Sequence, residues 1–187
     1  MIFERLMRSL PGRYTIRKMR FDLEPHIGAG DLKLGMTREE TRAILGKSAY
    51  SSEKSVMDYG DFSIPIPAKD GYFKNELQIT FDDNGKVDFI EFSGKDSEFV
   101  EVYLKDIEVF KTPAQQLLQK ISDTTRSEFD KENDEIPYSY VFPSIDLAVW
   151  RQVIPGQDEQ TGEILEPDEG KYFWTIGIGI KGYYKKE

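Results

Sequence analysis

Leu77-Gln78-Ile79-Thr80-Phe81-Asp82-Asp83-Asn84-Gly85-Lys86-Val87-Asp88-Phe89-Ile90-Glu91-Phe92 decides the fold class. Asn84-Gly85 is a two-residue hairpin signal, because both residues tolerate the positive φ that a tight turn between twisted strands demands. Pairing about it sets Phe81 opposite Asp88, Ile79 opposite Ile90 and Leu77 opposite Phe92. Leu77, Ile79, Phe81, Ile90 and Phe92 then share one face, the mark of an antiparallel sheet with one side against a core. Two later stretches repeat the period of two. Ile145, Leu147 and Val149 alternate with Asp146, Ala148 and Trp150, and Tyr172, Trp174, Ile176, Ile178 and Ile180 alternate with Phe173, Thr175, Gly177 and Gly179.

Helices are announced by their caps. Thr37-Arg38-Glu39-Glu40 is a capping box, in which the Thr37 hydroxyl accepts from the Glu40 N–H and the Glu40 carboxylate reaches back to the Thr37 N–H. Gly46 supplies a left-handed stop. Thr112-Pro113-Ala114-Gln115 reads as a second start, with Thr112 as cap and proline at the first helical position. Ala114, Leu117, Leu118 and Ile121 follow at helical spacing. The fold class expected is α+β, with two tandem units of antiparallel sheet and short capped helices packed on one face.

Tandem organisation is suggested by an internal repeat. Asp31-Leu32-Lys33-Leu34-Gly35-Met36-Thr37 and Asp106-Ile107-Glu108-Val109-Phe110-Lys111-Thr112 both run Asp, apolar, charged, apolar, then on to a Thr, 75 residues apart. The helical stripes are out of step, since Ile44 falls opposite Gln119 and Leu45 opposite Lys120. The units are bounded as a basic arm over 1–24, a first unit over 25–97 and a second over 98–187, forming one body. The arm carries Arg5, Arg8, Arg13, Arg17, Lys18 and Arg20 against Glu4, and Ile2, Phe3, Leu6, Met7 and Leu10 suit a short amphipathic helix ended by Pro11-Gly12. Charge interrupts them, so they do not form the apolar core of a signal peptide.

Composition narrows function. In 187 residues, 34 acids face 25 bases for a net charge of -9, which repels phosphate backbones and anionic lipid, so nucleic-acid binding is not expected. There is no cysteine, which removes thiol chemistry, thiolate zinc and disulfides and fits a reducing cytosol; a cytoplasmic location is expected. No run is long and apolar enough to span a membrane. Gly177-Ile178-Gly179-Ile180-Lys181-Gly182 matches a dinucleotide-binding pattern, but no following helix supplies the N–H groups such a site needs. These glycines read instead as the outer face of a strand, at a bulge or under a packed side chain. Asp82-Asp83-Asn84-Gly85 has the flavour of a calcium loop but places Lys86 and Val87 where further oxygens would be needed. His26, the one histidine, reads as a loop residue. No catalytic residue, cofactor or metal site is expected, although paired carboxylates leave a hydrolase open as an alternative.

Gln152 to Gly170 holds Asp158, Glu159, Glu163, Glu166, Asp168 and Glu169 with two prolines and internal glycines, a long acidic loop. Beside it, Trp150 should point away from the core, and Tyr138 and Tyr140 precede the same strand. Tyr and Trp bury large area at low entropic cost, so these three aromatics with the six loop acids form the candidate partner-binding surface. A covering layer over Trp150 and a merely solvated loop are the plainer readings.

Leu32-Lys33-Leu34-Gly35-Met36-Thr37-Arg38-Glu39-Glu40 with Ile44-Leu45-Gly46 resembles the signature of the β-lactamase-inhibitory-protein-like fold, shared by a small lipoprotein of the outer-membrane barrel-assembly machinery. That resemblance implies helices packed on antiparallel sheets in tandem units. The chain lacks the cysteine a lipoprotein would lipidate. Tyr140 to Arg151 and Tyr172 to Gly179 look like a group of small bacterial immunity proteins that block secreted toxins. The resemblance implies a non-catalytic cytosolic protein that binds a basic toxin through a sheet face or loops. A structural subunit of an assembly complex is the third alternative.

Overall fold

The computed structural model describes residues 17–94, 96–156 and 170–185. Strands β8 (Leu77–Phe81) and β9 (Val87–Ser93) form the expected hairpin, with Leu77 opposite Phe92 and Ile79 opposite Ile90. Beyond Thr80 the register moves by one, and Phe81 pairs with Val87 rather than Asp88. The turn causes the shift. Gly85 donates to the Asp82 carbonyl at φ 70°, so the reversal spans Asp82 to Gly85 rather than Asn84-Gly85 alone. Asp88 is left as the extra residue and takes the Thr80 hydroxyl at 2.6 Å.

This hairpin lies near the middle of a seven-stranded antiparallel sheet. One flank is the meander β12 (Ser139–Phe142), β13 (Leu147–Trp150) and β14 (Thr175–Gly179); the other ends in β7 (Ala68–Tyr72) and β4 (Tyr50–Ser52). Order across the sheet is β12-β13-β14-β9-β8-β7-β4. Its inner face carries Phe142, Leu147, Val149, Ile176, Ile178, Ile90, Phe92, Ile79 and Leu77, all fully buried. A five-stranded sheet faces it: β1 (Met19–Glu24) at the centre, β2 (Gly28–Ala29) and β3 (Leu32–Lys33) on one side, β10 (Val100–Leu104) and β11 (Ile107–Glu108) on the other. The sheets meet where the Phe21 ring lies 4.8 Å from that of Phe92.

The α+β class therefore holds, with mostly antiparallel sheets. The division of labour along the chain differs from tandem units with separate sheets, since strands from 25–97 and from 98–187 share both sheets. Met19–Glu24, the end of the stretch read as a basic arm, is the central strand β1, pairing in parallel with β10. Phe21 and Leu23 point inward on it, which is why it is drawn into the core. Residues 1–16, with the expected N-terminal helix, lie outside the described residues. The 75-residue offset does recur in the backbone. Ala29 pairs with Leu32 and Gly28 with Lys33 around Gly30, as Leu104 pairs with Ile107 and Tyr103 with Glu108 around Lys105. Gly30 and Lys105 both sit at positive φ, 60° and 54°.

Helix α1 (Arg38–Leu45) begins on the capping box, with both reciprocal bonds made at 3.2 and 2.7 Å, and stops at Gly46, φ 84°. These bonds hold the Glu40 carboxyl below its ordinary range. Helix α2 (Ala114–Thr125) corrects the second cap. Thr112 is not its N-cap; its hydroxyl donates to the Glu108 carbonyl at 2.7 Å, closing the 3-10 turn over Val109–Lys111. Pro113 takes the cap position, and the Ala114 N–H is satisfied by the Lys171 carbonyl at 2.8 Å. Tertiary structure supplies here what the side chain was expected to supply.

Helix α1 is eight residues long and buries only Thr41 fully, too little to hold it by apolar contact alone. It is held by charge. Asp70 on β7 is completely buried and accepts from Arg38 Nε at 3.0 Å, Arg42 Nε at 2.9 Å and the Ser51 hydroxyl at 2.8 Å. Burial raises the Asp70 carboxyl, but the bonds from Arg42, Ser51 and Arg38 together outweigh it and leave it below its ordinary value. Removing one partner of a buried pair typically costs about 3–5 kcal/mol, so Asp70→Ala should lose stability on that scale in urea unfolding at pH 7. Because the folded carboxyl is depressed, its contribution is present above the unfolded value near ~3.9 and fades as pH falls through the lower folded value. The gap between wild type and Asp70→Ala should therefore narrow below about pH 4. An unchanged gap at pH 3 would contradict the assignment.

Candidate protein-binding surfaces

Between β4 and β7 the chain leaves the body as a two-stranded arm, β5 (Ser55–Asp58) and β6 (Ser63–Ile66). Ser55 pairs with Ile66, Val56 with Pro65, Met57 with Ile64 and Asp58 with Ser63. The Tyr59 N–H donates to the Phe62 carbonyl at 2.9 Å, and Gly60 turns at φ 85° with its N–H on the Asp58 carboxylate. Alternation about this turn places Met57 and Tyr59 with Phe62, Ile64 and Ile66 on one face. The Tyr59 and Phe62 rings stack at 5.1 Å, and the Tyr59 hydroxyl reaches the Met57 sulfur at 2.6 Å.

That face is bare. Phe62 is 61% exposed, Tyr59 54%, Met57 47% and Ile64 43%, whereas the inner faces of the two large sheets are buried. An isolated two-stranded hairpin is marginal in water, and a contiguous exposed apolar face marks an interaction site. The edge is less inviting. Counting from the Tyr59–Phe62 pair, Pro65 falls at a position whose nitrogen faces outward, so β6 lacks a donor there for an added strand. The arm therefore offers its face.

Its root is fixed by the α1 network. Arg38 donates to the Ser52 carbonyl at 2.7 Å, the Lys69 carbonyl at 3.1 Å and the Glu53 carboxylate at 2.6 Å, immediately before β5 and after β6. Acids surround the apolar stripe: Glu53 at the root, with Asp58 and Asp61 at the tip, all exposed. This arm was not among the expected elements. Its signal was Gly60-Asp61 between Met57-Asp58-Tyr59 and Phe62-Ser63-Ile64, a Gly-X turn flanked by alternation.

A second surface is the outer face of the seven-stranded sheet. Ala148, Gly177, Glu91 and Gln78 lie side by side across it in register. A Cβ on Gly177 would sit 2.1 Å from the Phe89 ring and one on Gly179 2.5 Å from Tyr183, so both glycines lie under aromatic side chains. Phe89 stacks on Tyr183 at 4.7 Å and meets Tyr184 edge-on at 6.1 Å. Burial, then neighbouring charges that include Glu91, push both tyrosine hydroxyls up. Burial likewise pushes the Glu91 carboxyl up, with Lys69 pulling partly against it.

The aromatic residues read from the sequence separate. Trp150 does point away from the core, 39% exposed, and meets Trp174 edge-on at 5.9 Å. Tyr138 is half-buried. Tyr140 is a correction: at 5% exposure its ring is wedged edge-on between Phe129 and Phe173, inside the core beside α2. It shares the inner face with Val149, its register partner, while Trp150 takes the outer one. Asp158, Glu159, Glu163, Glu166, Asp168 and Glu169 lie outside the described residues. Where the loop returns, the buried Arg151 donates to the Gly170 carbonyl at 2.7 Å.

The remaining motifs have structural partners. Asp82 accepts from the backbone of Asn84 and Lys86 in its turn, and Asp83 pairs with Lys54. No cluster of metal-ligating side chains occurs among the described residues. His26, at φ 62°, bonds through Nε2 to Asp146 at 2.9 Å, and the same buried carboxylate accepts from the Gly182 and Tyr184 N–H groups. Among the described residues, no helix is long and apolar enough to cross a membrane. Comparison with protein-family models, with curated proteins and with solved structures finds no match.

If the arm's apolar face contacts nothing in its own chain, Phe62→Asp and Ile64→Asp should each change unfolding free energy by no more than about 0.5 kcal/mol. Leu77→Ala in the sheet core should cost about 2–5 kcal/mol. Parallel urea titrations check this, and a loss near that of the core variant would mean the face is internally packed.

Proposed function

We propose that this chain is a non-catalytic protein-binding module, an immunity-type inhibitor that engages a basic toxin with the apolar face of its hairpin arm. The observation that carries this reading is Tyr59, Phe62, Met57 and Ile64 held in solvent on an arm whose root is locked by Arg38. A net charge of -9, with Asp58 and Asp61 beside the stripe, favours a basic partner and opposes self-association and adsorption to anionic lipid. The buried carboxylates Asp70 and Asp146 are occupied by structural donors, which gives the hydrolase alternative no support from them. The same reading keeps the acidic loop over 152–170 and Trp150 as further parts of the contact. It also keeps a tandem origin, supported by the two hairpins 75 residues apart, each followed by a helix and then antiparallel strands, β4 and β7 to β9 in the first half and β12 to β14 in the second.

The test is capture of a complex from lysate of the cells that encode the chain, with wild type and Phe62→Asp as paired baits. A basic protein retained by wild type and released by Phe62→Asp supports the reading, because loss of a central aromatic anchor commonly costs about 2 kcal/mol or more of binding, roughly thirtyfold. Association of the purified pair should slow as salt rises. The same proteins on both baits, or turnover of a glycoside or phosphoester panel abolished by one Asp or Glu substitution, would overturn it.

A further inference from the structure

The protein satisfies its fully buried carboxylates thoroughly. Asp70 receives two arginines and a hydroxyl, and Asp146 receives two backbone N–H groups and His26. Glu91 stands apart. It lies near the middle of the outer face of the seven-stranded sheet, half-buried, and accepts no hydrogen bond from any described residue. The nearby cation Lys69 bonds its Nζ to Gln78 Oε1 at 3.0 Å, beside Glu91 in the register, and makes no ion pair with Glu91 among the described residues. On the β14 side Gly177 contributes no side chain, and the space above it is taken by the Phe89 ring, backed by Tyr183 and flanked by Tyr184.

We infer that Glu91 is the acceptor for an arginine side chain delivered by a protein partner, with Phe89 and Tyr184 as the aromatic surfaces against which the guanidinium lies. The inference rests on the protein-binding reading and supplies that reading with a second, polar contact. A guanidinium suits the place better than an ammonium. It is planar, weakly hydrated, able to stack on rings while donating in a fork to a carboxylate, and enriched among interface anchors. In the same row Glu91 is flanked by Gly177, which has no side chain, and by Gln78, whose side chain is held by Lys69. Burial also raises the Glu91 carboxyl, a cost that an incoming guanidinium would offset.

The experiment is an NMR titration of the full-length labelled protein with the capped peptide acetyl-Gly-Arg-Gly-amide and with its citrulline counterpart, which keeps the shape and loses the charge. Saturable shifts at the amides of Gln78, Glu91 and Gly177 are expected with the arginine peptide, and binding at least about tenfold weaker with citrulline. Glu91→Gln should lose the response, while Glu101→Gln on the other sheet keeps it. An equal response to the two peptides, shifts spread over acids generally, or no saturable change overturns the inference, and the wild-type comparison decides even if Glu91→Gln folds poorly. Failure here with release of the partner by Phe62→Asp intact removes the arginine site alone; failure of the Phe62→Asp test removes the protein-binding reading.

Discussion

Asp70 is the point on which the placement of α1 and the hairpin arm turns. A carboxylate fully removed from water is tolerable only when charged donors surround it, and Arg38 and Arg42, one helical turn apart, present two guanidinium groups from the same face of α1. The exchange is mutual, since the helix is too short and too polar to dock by burial and the carboxylate is too buried to stand alone. Arg38 then spends its remaining donors on Ser52, Glu53 and Lys69. Those residues bracket the exit and return of the hairpin arm. The direction in which the arm leaves the body thus follows from a charge network, while the arm itself contributes almost nothing to the core.

A second node joins the turn after β1 to the turn after β14. Asp146, in a turn at φ 46°, gathers His26 from the segment between β1 and β2 and the backbone of Gly182 and Tyr184 from the C-terminal turn. Through it the C-terminal turn is pinned so that Tyr183 and Tyr184 lie against Phe89. The aromatic wall beside Glu91 is in this sense built by a carboxylate on the far side of β14.

What could be read from residues alone was what depends on local periodicity. The β8–β9 pairing from Leu77 to Ile79, the capping box at Thr37, the inward set on β13 and Gly179 under Tyr183 follow from neighbours close in sequence. The misreadings share one cause, long-range competition. Thr112 looks like a cap until Lys171, distant in sequence, offers its carbonyl to Ala114. Tyr140 looks like a surface anchor until the register with Val149 turns it inward. The parallel pairing of β1 with β10 leaves no local trace, because a parallel neighbour is fixed by the whole chain path. Asp70 and Glu91 were two among 34 acids, and nothing but burial distinguishes them.

The arm carries its signature in the sequence, but that signature does not separate it from a core hairpin. Its alternation matches that of the core strands, and periodicity reports a one-sided ribbon without reporting what lies against it. The distinction comes from proline and charge. Pro65 and Pro67 with Asp58 and Asp61 are poor choices for an interior strand and good ones for an arm that must stay soluble and avoid edge pairing. An apolar stripe kept within a ribbon that also carries edge protection is under two opposed requirements, staying unpaired with copies of itself and remaining available to something else. On the binding reading proposed above, like charge on every copy meets the first, and complementary charge on a partner meets the second.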